Sequence, residues 1–482
     1  MARASSASLK WLHILALGLL AAAAIAYYLL SSSTRGFPLD DSWIHQSYAR
    51  NLALHGEWAF MPGQPSGAAT SVLWVLLLAP AAGLGIAPVV WVALLGWLSL
   101  WGLGLLGAAT FVRVQPGLPR VAVWVGALVL LEHHMVWAAL SGMETALFAL
   151  LCLTALWLSV QSKPKAFTAG ALAGIAMLVR PEGLTLLAPL GIAVWLGNQR
   201  KLRAAGSLLA GFALLLLPYL LFNQATSGNL WPSTFYAKQA EYAELLAQPL
   251  LQRWAGQLVQ PVIGAGVFVL PGFLYATFIT VRRRDWRQMA WVVWLLGFAL
   301  LFALRLPVTY QHGRYAMPLV PVYLILGAAG WAELLQLLRA QKTRRTFTIA
   351  CASMLAAGAL AFHVLGAASY GQDVHFIETQ MVETAHWVQD NLPADALLAV
   401  HDIGAIGYFA PRPLVDLAGL VSPEVVAFIR DEEQLAAYLD ARGVEYLIVL
   451  KDWYPQLSSY AELVYTPPLG VMQVLRWVGA PP

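Results

Sequence analysis

The stretch LDDSWIHQSYARNLALHG, residues 39–56, places two adjacent carboxylates soon after the apolar run 11–30. A run of about 20 apolar residues is long enough to cross a bilayer as a helix. Apolar residues at helical spacing follow the two acids, and Gly56 is typical of a helix end. The sequence therefore predicts a short helix at the mouth of a membrane span, with Asp40 and Asp41 at its start.

The composition is that of a multi-spanning helical membrane protein. The 482 residues are 59% hydrophobic and only 11% charged, whereas soluble domains are typically ~25% charged. No motif for nucleotide-driven chemistry or nucleic-acid binding is found, so the pI near 9.0 does not indicate a nucleic-acid partner. Cys152 and Cys351 lie inside apolar runs, which argues against a disulfide framework and a cysteine metal site.

Eleven apolar runs predict membrane spans, and the charge distribution predicts their orientation. The runs are 11–30, 88–112, 121–138, 143–160, 166–180, 183–197, 204–222, 258–281, 288–304, 316–335 and 347–368. The first is interpreted as an uncleaved span rather than a signal peptide. The ambiguous run 71–86 is interpreted as a re-entrant or surface-lying helix. One set of alternate loops then holds 17 of the 29 Lys and Arg residues, and we predict that this set is cytoplasmic.

The last part of the chain differs in composition. Residues 371–482 contain 15 acids but only five Lys and Arg residues. Short runs predict strands at 396–401, 413–417 and 446–450. PEVVAFIRD, residues 423–431, and EEQLAAYLDARG, residues 432–443, predict helices, the second ending at Gly443. We therefore predict a transmembrane domain over 1–370, whose first outer loop is 31–87, followed by a soluble extracytoplasmic α/β domain. The predicted fold class is an α-helical polytopic membrane protein of about 11 spans with this small C-terminal domain.

Polar residues on the predicted outer face are the candidates for a functional site. One of Asp40 and Asp41 can cap the helix that follows them, which leaves the other unpaired at the membrane surface. Such a pair can instead accept a proton from an attacking hydroxyl or hold Mg²⁺, Mn²⁺ or Ca²⁺. Candidates for a phosphate site are Arg180, Lys238 and Arg314. Candidates for a substrate groove are Tyr48, Glu144, Glu182, Trp231, Tyr236 and Tyr315. An interfacial anchor is the alternative for each Arg and aromatic residue.

His133 and His134, beside Glu132, raise the question of a second metal site. Adjacent residues of a helix point in different directions. The sequence therefore argues against a shared ion at these histidines.

The stretch LDDSWIHQSYARNLALHGEWAFMPGQPSGAATSVLW, residues 39–74, resembles the first outer loop of bacterial GT-C superfamily glycosyltransferases of the cell-wall arabinofuranosyltransferase-like group. SGMETALFALL, AGIAMLVRPEGL, WPSTFYAKQ, GRYAMPLVPV and HDIGAIGYFAPRPLVDLAGLVSP resemble further segments of that group, in the same order. Ser47, Met61 and Gln64 depart from the group's pattern, and the acid that precedes Gly67 in the group is missing. These departures concern the sugar and the acceptor rather than the aspartate pair.

The resemblance implies a GT-C-like fold and transfer of a sugar from a polyprenyl-phosphate donor to an acceptor glycan, glycolipid or protein. The reaction would occur on the outer face of the bacterial plasma membrane, with inversion. The resemblance implies that a carboxylate of the first outer loop is the base, which by position is Asp40, the first acid after the span; Asp41 would orient the acceptor or a cation. Arg314 lies at the start of a span, where its side chain can reach the headgroups, and is the first candidate for the carrier phosphate, with Arg180 the second. No cofactor beyond that divalent cation is expected.

Two other classes of protein are alternatives to the enzyme. A transporter or flippase of lipid-linked sugars would need polar groups on both sides of its pathway or at the midplane. The predicted spans are nearly free of ionisable residues, and polarity is concentrated on one face, which favours the enzyme. A simple membrane anchor for residues 371–482 would not need so many spans.

Overall fold

The computed structural model describes residues 10–161 and 164–480 as a helical bundle with a small sheet near the C-terminus. The helices of the first half are Trp11–Ser31, Asp41–His55, Val72–Leu84, Pro88–Val114, Ala122–Leu131, His133–Leu140, Thr145–Ser159, Ala166–Val179, Leu187–Gly197 and Lys201–Ser227. Those that follow are Ser233–Glu241, Leu250–Val259, Leu270–Arg283, Trp286–Arg305, Tyr310–Gly313, Val320–Gln336, Gln341–Ile377, Glu383–Asn391, Ile403–Phe409, Glu432–Arg442 and Pro455–Ser459.

The predicted helical membrane architecture is confirmed, but the number of 11 spans is not. Among the described residues, seven helices are long and apolar enough to cross a membrane, or eight if the bent pair at 122–140 is one span. Three further predicted spans coincide with shorter apolar helices: Thr145–Ser159, Ala166–Val179 and Pro181–Gly197. The ambiguous run forms the 13-residue helix Val72–Leu84, which at about 1.5 Å per residue is short for a ~30 Å hydrocarbon core.

Small residues let the helices of the bundle approach closely. Gly170 of the helix Ala166–Val179 lies against the backbone carbonyl of Leu208, and Gly211 lies against that of Phe167. A methyl group on either glycine would collide with the backbone of the opposite helix. This is the packing expected in lipid, where close backbone contact replaces the hydrophobic drive.

The C-terminal sheet contains the three predicted strands and two more. Its strand order is Leu414–Asp416, Leu398–Val400, Tyr446–Leu450, Met472–Trp477 and Ala461–Tyr465. The first three strands are parallel and the last two are antiparallel to their neighbours. Gly443, at φ 69°, closes the predicted helix before the third of these strands. The segment expected to form a helix at 423–431 forms only a 3₁₀ turn, Pro423–Phe428, because Asp431 already caps the next helix.

The polypeptide crosses the expected domain boundary at residue 371 without a break. The helix Gln341–Ile377 continues through a π-helical turn at Glu378–Val382 into Glu383–Asn391. The part of the chain that forms the five-stranded sheet, residues 398–477 (the sheet domain), is therefore joined to the bundle by continuous helical structure.

Candidate active site

A cavity of about 410 Å³ lies at the end of the bundle that faces the sheet domain. Eight of the predicted site residues line it: Asp41, Glu144, Arg180, Glu182, Trp231, Lys238, Arg314 and Tyr315. These residues come from five separate stretches of the chain, yet most of them lie at or next to a helix end. Helix ends meet on one face of a bundle, so the chain can gather polar groups there without placing them in the apolar spans.

The cavity is lined partly by charged and polar side chains (the polar wall) and partly by apolar side chains (the apolar wall). Leu301, Phe302 and Leu306 come from the last turn of the helix Trp286–Arg305 and the residue after it, and they form part of the apolar wall. The size lies within the range of about 300–1,000 Å³ that is usual for ligand pockets. A ligand with a charged head and a hydrocarbon portion would match both walls.

Arg314 is the most unusual group of the polar wall. Its side chain is only 3% exposed, and its Nη2 lies 2.6 Å from Asp41 Oδ2. The same nitrogen lies 3.3 Å from the Tyr315 hydroxyl. Its Nε and Nη1 are buried without a hydrogen-bond partner among the described residues. A buried guanidinium with two unused donors is costly, and an anionic ligand would satisfy them.

Arg180 is also buried, but its donors are used. Its Nη1 donates to Glu144 at 3.1 Å, and its Nε and Nη2 each donate to Glu182 at 3.3 Å. The Cζ atoms of Arg180 and Arg314 lie 5.2 and 5.1 Å from the centroid of the Tyr315 ring. The two guanidinium groups therefore contact the same aromatic ring. Two carboxylates bind Arg180, whereas one, that of Asp41, binds Arg314.

Lys238 and Arg314 set the charge state of Asp41. Burial alone would raise the pKa of Asp41, but these two cations outweigh that effect and hold its pKa below the usual range. Burial alone would lower the pKa of Lys238, but Asp41 and neighbouring groups keep it well above its ordinary value. Asp41 is therefore an ionised carboxylate facing the cavity at neutral pH.

Asp40 has a different environment from its neighbour and does not line the cavity. Its Oδ2 accepts from the backbone N–H of Gly404 at 2.6 Å, and its Oδ1 accepts from that of Ala405 at 2.8 Å. It thereby caps the helix Ile403–Phe409 of the sheet domain rather than its own helix, in which it makes no side-chain cap. Burial and the carboxylate of Asp402 raise the pKa of Asp40 to about 7, although the two amides oppose this rise.

Arg50 holds the other end of the same helix. Its guanidinium donates to the backbone carbonyls of Tyr408 at 2.5 Å and Gly407 at 3.2 Å. An acid at the N-terminus and a base at the C-terminus both complement the helix dipole. The loop 31–87 and the sheet domain are thus joined by an acid at one end and a base at the other end of one short helix.

Tyr48 and Tyr236, which were predicted for the groove, do not line the cavity. The Tyr48 hydroxyl lies 2.5 Å from the Ser66 hydroxyl and accepts from the amide of Ala68 at 3.2 Å, so it stabilises the loop. Tyr236 is 40% exposed, and its neighbour Phe235 faces the cavity instead.

Several lining residues were missed in the sequence. They include His45, Thr70, Thr234, Phe235, Arg305 and Leu420. His45 Nε2 lies 3.7 Å from Glu144 Oε2. The helical spacing after Asp41 could have indicated His45, since residues four apart lie on one face of a helix. Leu420 comes from the sheet domain, and no local signal places it there.

A cation held jointly by Asp40 and Asp41 does not fit the described geometry. Both oxygens of Asp40 accept backbone amides, and Asp41 contacts Arg314. The two adjacent carboxylates thus have different partners. A hard divalent ion requires several oxygen ligands that converge on it, and this pair does not supply them.

Solved structures of the same fold are members of the GT-C superfamily. ArnT from Cupriavidus metallidurans, bound to undecaprenyl phosphate, has 14% identity and a TM-score of 0.62, covering 96% of this chain and 99% of that one. The oligosaccharyltransferase AglB from Archaeoglobus fulgidus, in complex with an inhibitory peptide and a dolichol-phosphate, has 12% identity and a TM-score of 0.55, covering 95% and 74%. The arabinofuranosyltransferase AftD from Mycobacteria has 18% identity and a TM-score of 0.50, covering 99% and 40%.

The GT-C resemblance inferred from the sequence is therefore confirmed at the level of the fold. A family model described as a domain of unknown function, DUF8728, matches residues 368–473. No curated protein matches the chain in sequence.

Proposed function

We propose that the protein is a glycosyltransferase that moves a sugar from a polyprenyl-phosphate donor to an acceptor glycan, lipid or protein. The observation that carries this proposal is the buried Arg314 with two unused donors beside an ionised Asp41, in a cavity with one apolar wall. A lipid-borne phosphate complements that arrangement. The fold neighbours solved with undecaprenyl phosphate and with dolichol-phosphate support the same ligand class.

Arg314 would hold the carrier phosphate. The planar guanidinium fork binds two phosphate oxygens at once, which Lys cannot do. Negative charge grows on the phosphate as the bond between the sugar and the phosphate breaks. A fixed cation at that point stabilises the transition state more than the ground state. Lys238, on the same wall, adds a second positive charge.

Asp41 is better placed than Asp40 to act as the base. A base must first be within reach of the proton that it removes, and only then does its pKa matter. Asp41 lines the cavity, whereas Asp40 is bound to the amides of Gly404 and Ala405. Contact between Arg314 and a donor phosphate would weaken the hold of Arg314 on Asp41. The freed carboxylate would then be more basic.

The reaction we propose is a displacement at the anomeric carbon. The acceptor hydroxyl forms the new bond to that carbon and gives its proton to Asp41. The bond from the anomeric carbon to the phosphate oxygen breaks, and its electron pair remains on the polyprenyl phosphate. Attack from the opposite side inverts the anomeric centre.

The site would face the outside of a bacterial plasma membrane. The loops on the other side of the predicted spans hold most of the Lys and Arg residues, as the positive-inside rule requires of cytoplasmic loops. The sheet domain would then be extracytoplasmic, on the same side as the acceptor.

The direct test uses purified protein in lipid vesicles with a panel of polyprenyl-phosphate sugars and acceptor glycans. Release of free polyprenyl phosphate, dependent on acceptor, is expected. Asp41→Asn should lower turnover per folded molecule by roughly 10²–10⁴-fold, and Asp40→Asn by much less. Normal turnover in Asp41→Asn with loss in Asp40→Asn would return the base to Asp40. Movement of intact donors between leaflets without any release would identify a flippase instead.

A further inference from the structure

The span at 122–140 is broken at a charged residue outside the cavity described above. Its two helices, Ala122–Leu131 and His133–Leu140, meet at an angle of 54°. Glu132 lies between them in an extended conformation and caps the second helix by accepting from the amide of Met135 at 3.2 Å. Irregular backbone inside a membrane protein is tolerated where it is buried or lines a cavity.

The break brings three consecutive side chains together. Glu132 Oε1 lies 2.8 Å from His133 Nδ1 and 2.8 Å from His134 Nδ1. The expectation that these histidines point apart is therefore wrong. It assumed a continuous helix, whereas the helix begins at His133 and both rings turn back toward the capping carboxylate. All three ligand atoms lie within 4.8 Å of one another.

A small cavity lies beside these three residues. Its volume is about 160 Å³, and His133, His134, Trp137 and His312 are among the residues that line it. Room for an additional ligand is therefore present next to the imidazoles.

His312 faces this cavity with one nitrogen already oriented. Its Nε2 lies 2.7 Å from Asp373 Oδ2, and the same oxygen accepts from Trp137 Nε1 at 2.9 Å. A carboxylate on one imidazole nitrogen is the usual arrangement behind a histidine whose other nitrogen ligates a metal.

Two glycines let the backbone approach the His133 side chain closely. Gly264, at φ 78°, and Gly366 both approach this ring, and a Cβ atom on Gly264 would lie 2.6 Å from His133 Cε1. Gly366 also lies against Tyr28, whose buried hydroxyl has no hydrogen-bond partner among the described residues. The surroundings thus contain an unused polar atom as well as the cluster itself.

We propose that Glu132, His133 and His134 bind a zinc-like divalent transition-metal ion, with His312 facing the open coordination position across the small cavity. Imidazole nitrogen together with one carboxylate is the donor set that suits Zn²⁺ rather than Mg²⁺ or Ca²⁺. Three protein ligands with an open fourth position leave room for a water molecule or for His312 itself. The site is independent of the proposed glycosyl transfer.

The test is metal binding by the whole protein in nanodiscs after removal of metals with a chelator. Co²⁺ is titrated as a probe, followed by the visible absorption of tetrahedral Co²⁺, and Zn²⁺ is then added as competitor. The wild type should bind one equivalent, which Zn²⁺ displaces. His134→Gln and Glu132→Gln should each weaken binding at least as much as loss of an outer-shell partner does, roughly 10–100-fold. His312→Gln should change the absorption spectrum of bound Co²⁺.

Two control variants keep the test specific. His363→Gln removes a neighbouring buried imidazole that bonds to the Leu131 carbonyl but lies outside the cluster, and Asp41→Asn alters the larger cavity. Both should bind Co²⁺ like the wild type. If gel filtration shows that Glu132→Gln does not fold, metal binding by His134→Gln decides the test. This variant keeps Glu132 as the cap of the helix His133–Leu140. The proposal fails if the wild type binds no stoichiometric Co²⁺, or if His134→Gln binds it unchanged.

Discussion

Replacing Gly404 by alanine should separate the sheet domain from the loop 31–87. A Cβ atom at this position would overlap the backbone carbonyl of Asp40 and crowd its carboxylate. The helix Ile403–Phe409 would have to move away. This movement would stretch or break the hydrogen bonds that the backbone N–H groups of Gly404 and Ala405 donate to Asp40.

The expected cost follows from these contacts. Crowding in a packed interface costs about 1–3 kcal/mol, and each weakened hydrogen bond costs about 0.5–1.5 kcal/mol. Alanine favours a helix over glycine by about 0.5–1 kcal/mol, which offsets part of the loss. With two hydrogen bonds weakened, the net destabilisation of the docked sheet domain should therefore be about 1–5.5 kcal/mol. Turnover should also fall, because Asp41 adjoins the displaced Asp40.

The assay is proteolysis of the sheet domain at a series of denaturant concentrations too low to unfold the protein. The cleavage rates give the free energy for opening of the sheet domain away from the loop 31–87. Gly297→Ala is a matched control, since it makes the same change within the helix Trp286–Arg305 at a site with open space around the glycine. That variant should be neutral or slightly stabilised. If Gly404→Ala opens no more readily than Gly297→Ala, the close approach to Asp40 does not hold the domain, and the docking argument is refuted.

Three further expectations are open to measurement. Burial raises the pKa of Asp40 to about 7 in the folded protein, so between pH ~4 and ~7 the folded state binds a proton that the unfolded state has lost. The free energy of unfolding of the wild type should therefore fall, relative to that of Asp40→Asn, by up to about 4 kcal/mol as pH rises through that window. The same pH dependence of stability in both proteins would refute this prediction. Arg314→Lys should weaken turnover per folded molecule and Arg314→Ala should weaken it much more, because lysine keeps the charge but loses the fork; near-wild-type turnover in both would remove Arg314 from the site. In intact cells, Gln64→Cys should react with an impermeant thiol reagent and Arg284→Cys should not, and the reverse labelling would invert the topology.

Local patterns predicted the helical architecture and eight of the residues that line the cavity. Apolar runs and Gly56 or Gly443 at helix ends are signals carried by a few neighbouring residues, and the structure follows them. Glu144, Arg180 and Arg314 were found because charged residues bordering apolar runs are conspicuous in a membrane protein. Their convergence on one cavity follows from the alternation of span directions.

Contacts between distant parts of the chain could not be predicted in this way. The bond from Gly404 to Asp40 joins residues 364 positions apart, so no local pattern identifies which of two adjacent acids faces the cavity. The same limit explains why Leu420 was missed. At Glu132 the failure was local: a single non-helical residue redirects two histidines, and an apolar run of this length indicates an unbroken helix.

Asp40 and Arg50 bind the two ends of the helix Ile403–Phe409, and this has a consequence for engineering the protein. A chimera that receives its C-terminal domain from another chain would need a partner helix of matching length, with a glycine opposite Asp40 and free carbonyls opposite Arg50. Exchanging residues 31–87 together with the sheet domain would preserve the fit, whereas exchanging either alone would not. The first loop and the last domain would therefore have to be exchanged as a pair, although more than 300 residues separate them in the sequence. The contacts of Ser233 with Leu420 and of Glu241 with Arg430 would have to be matched as well.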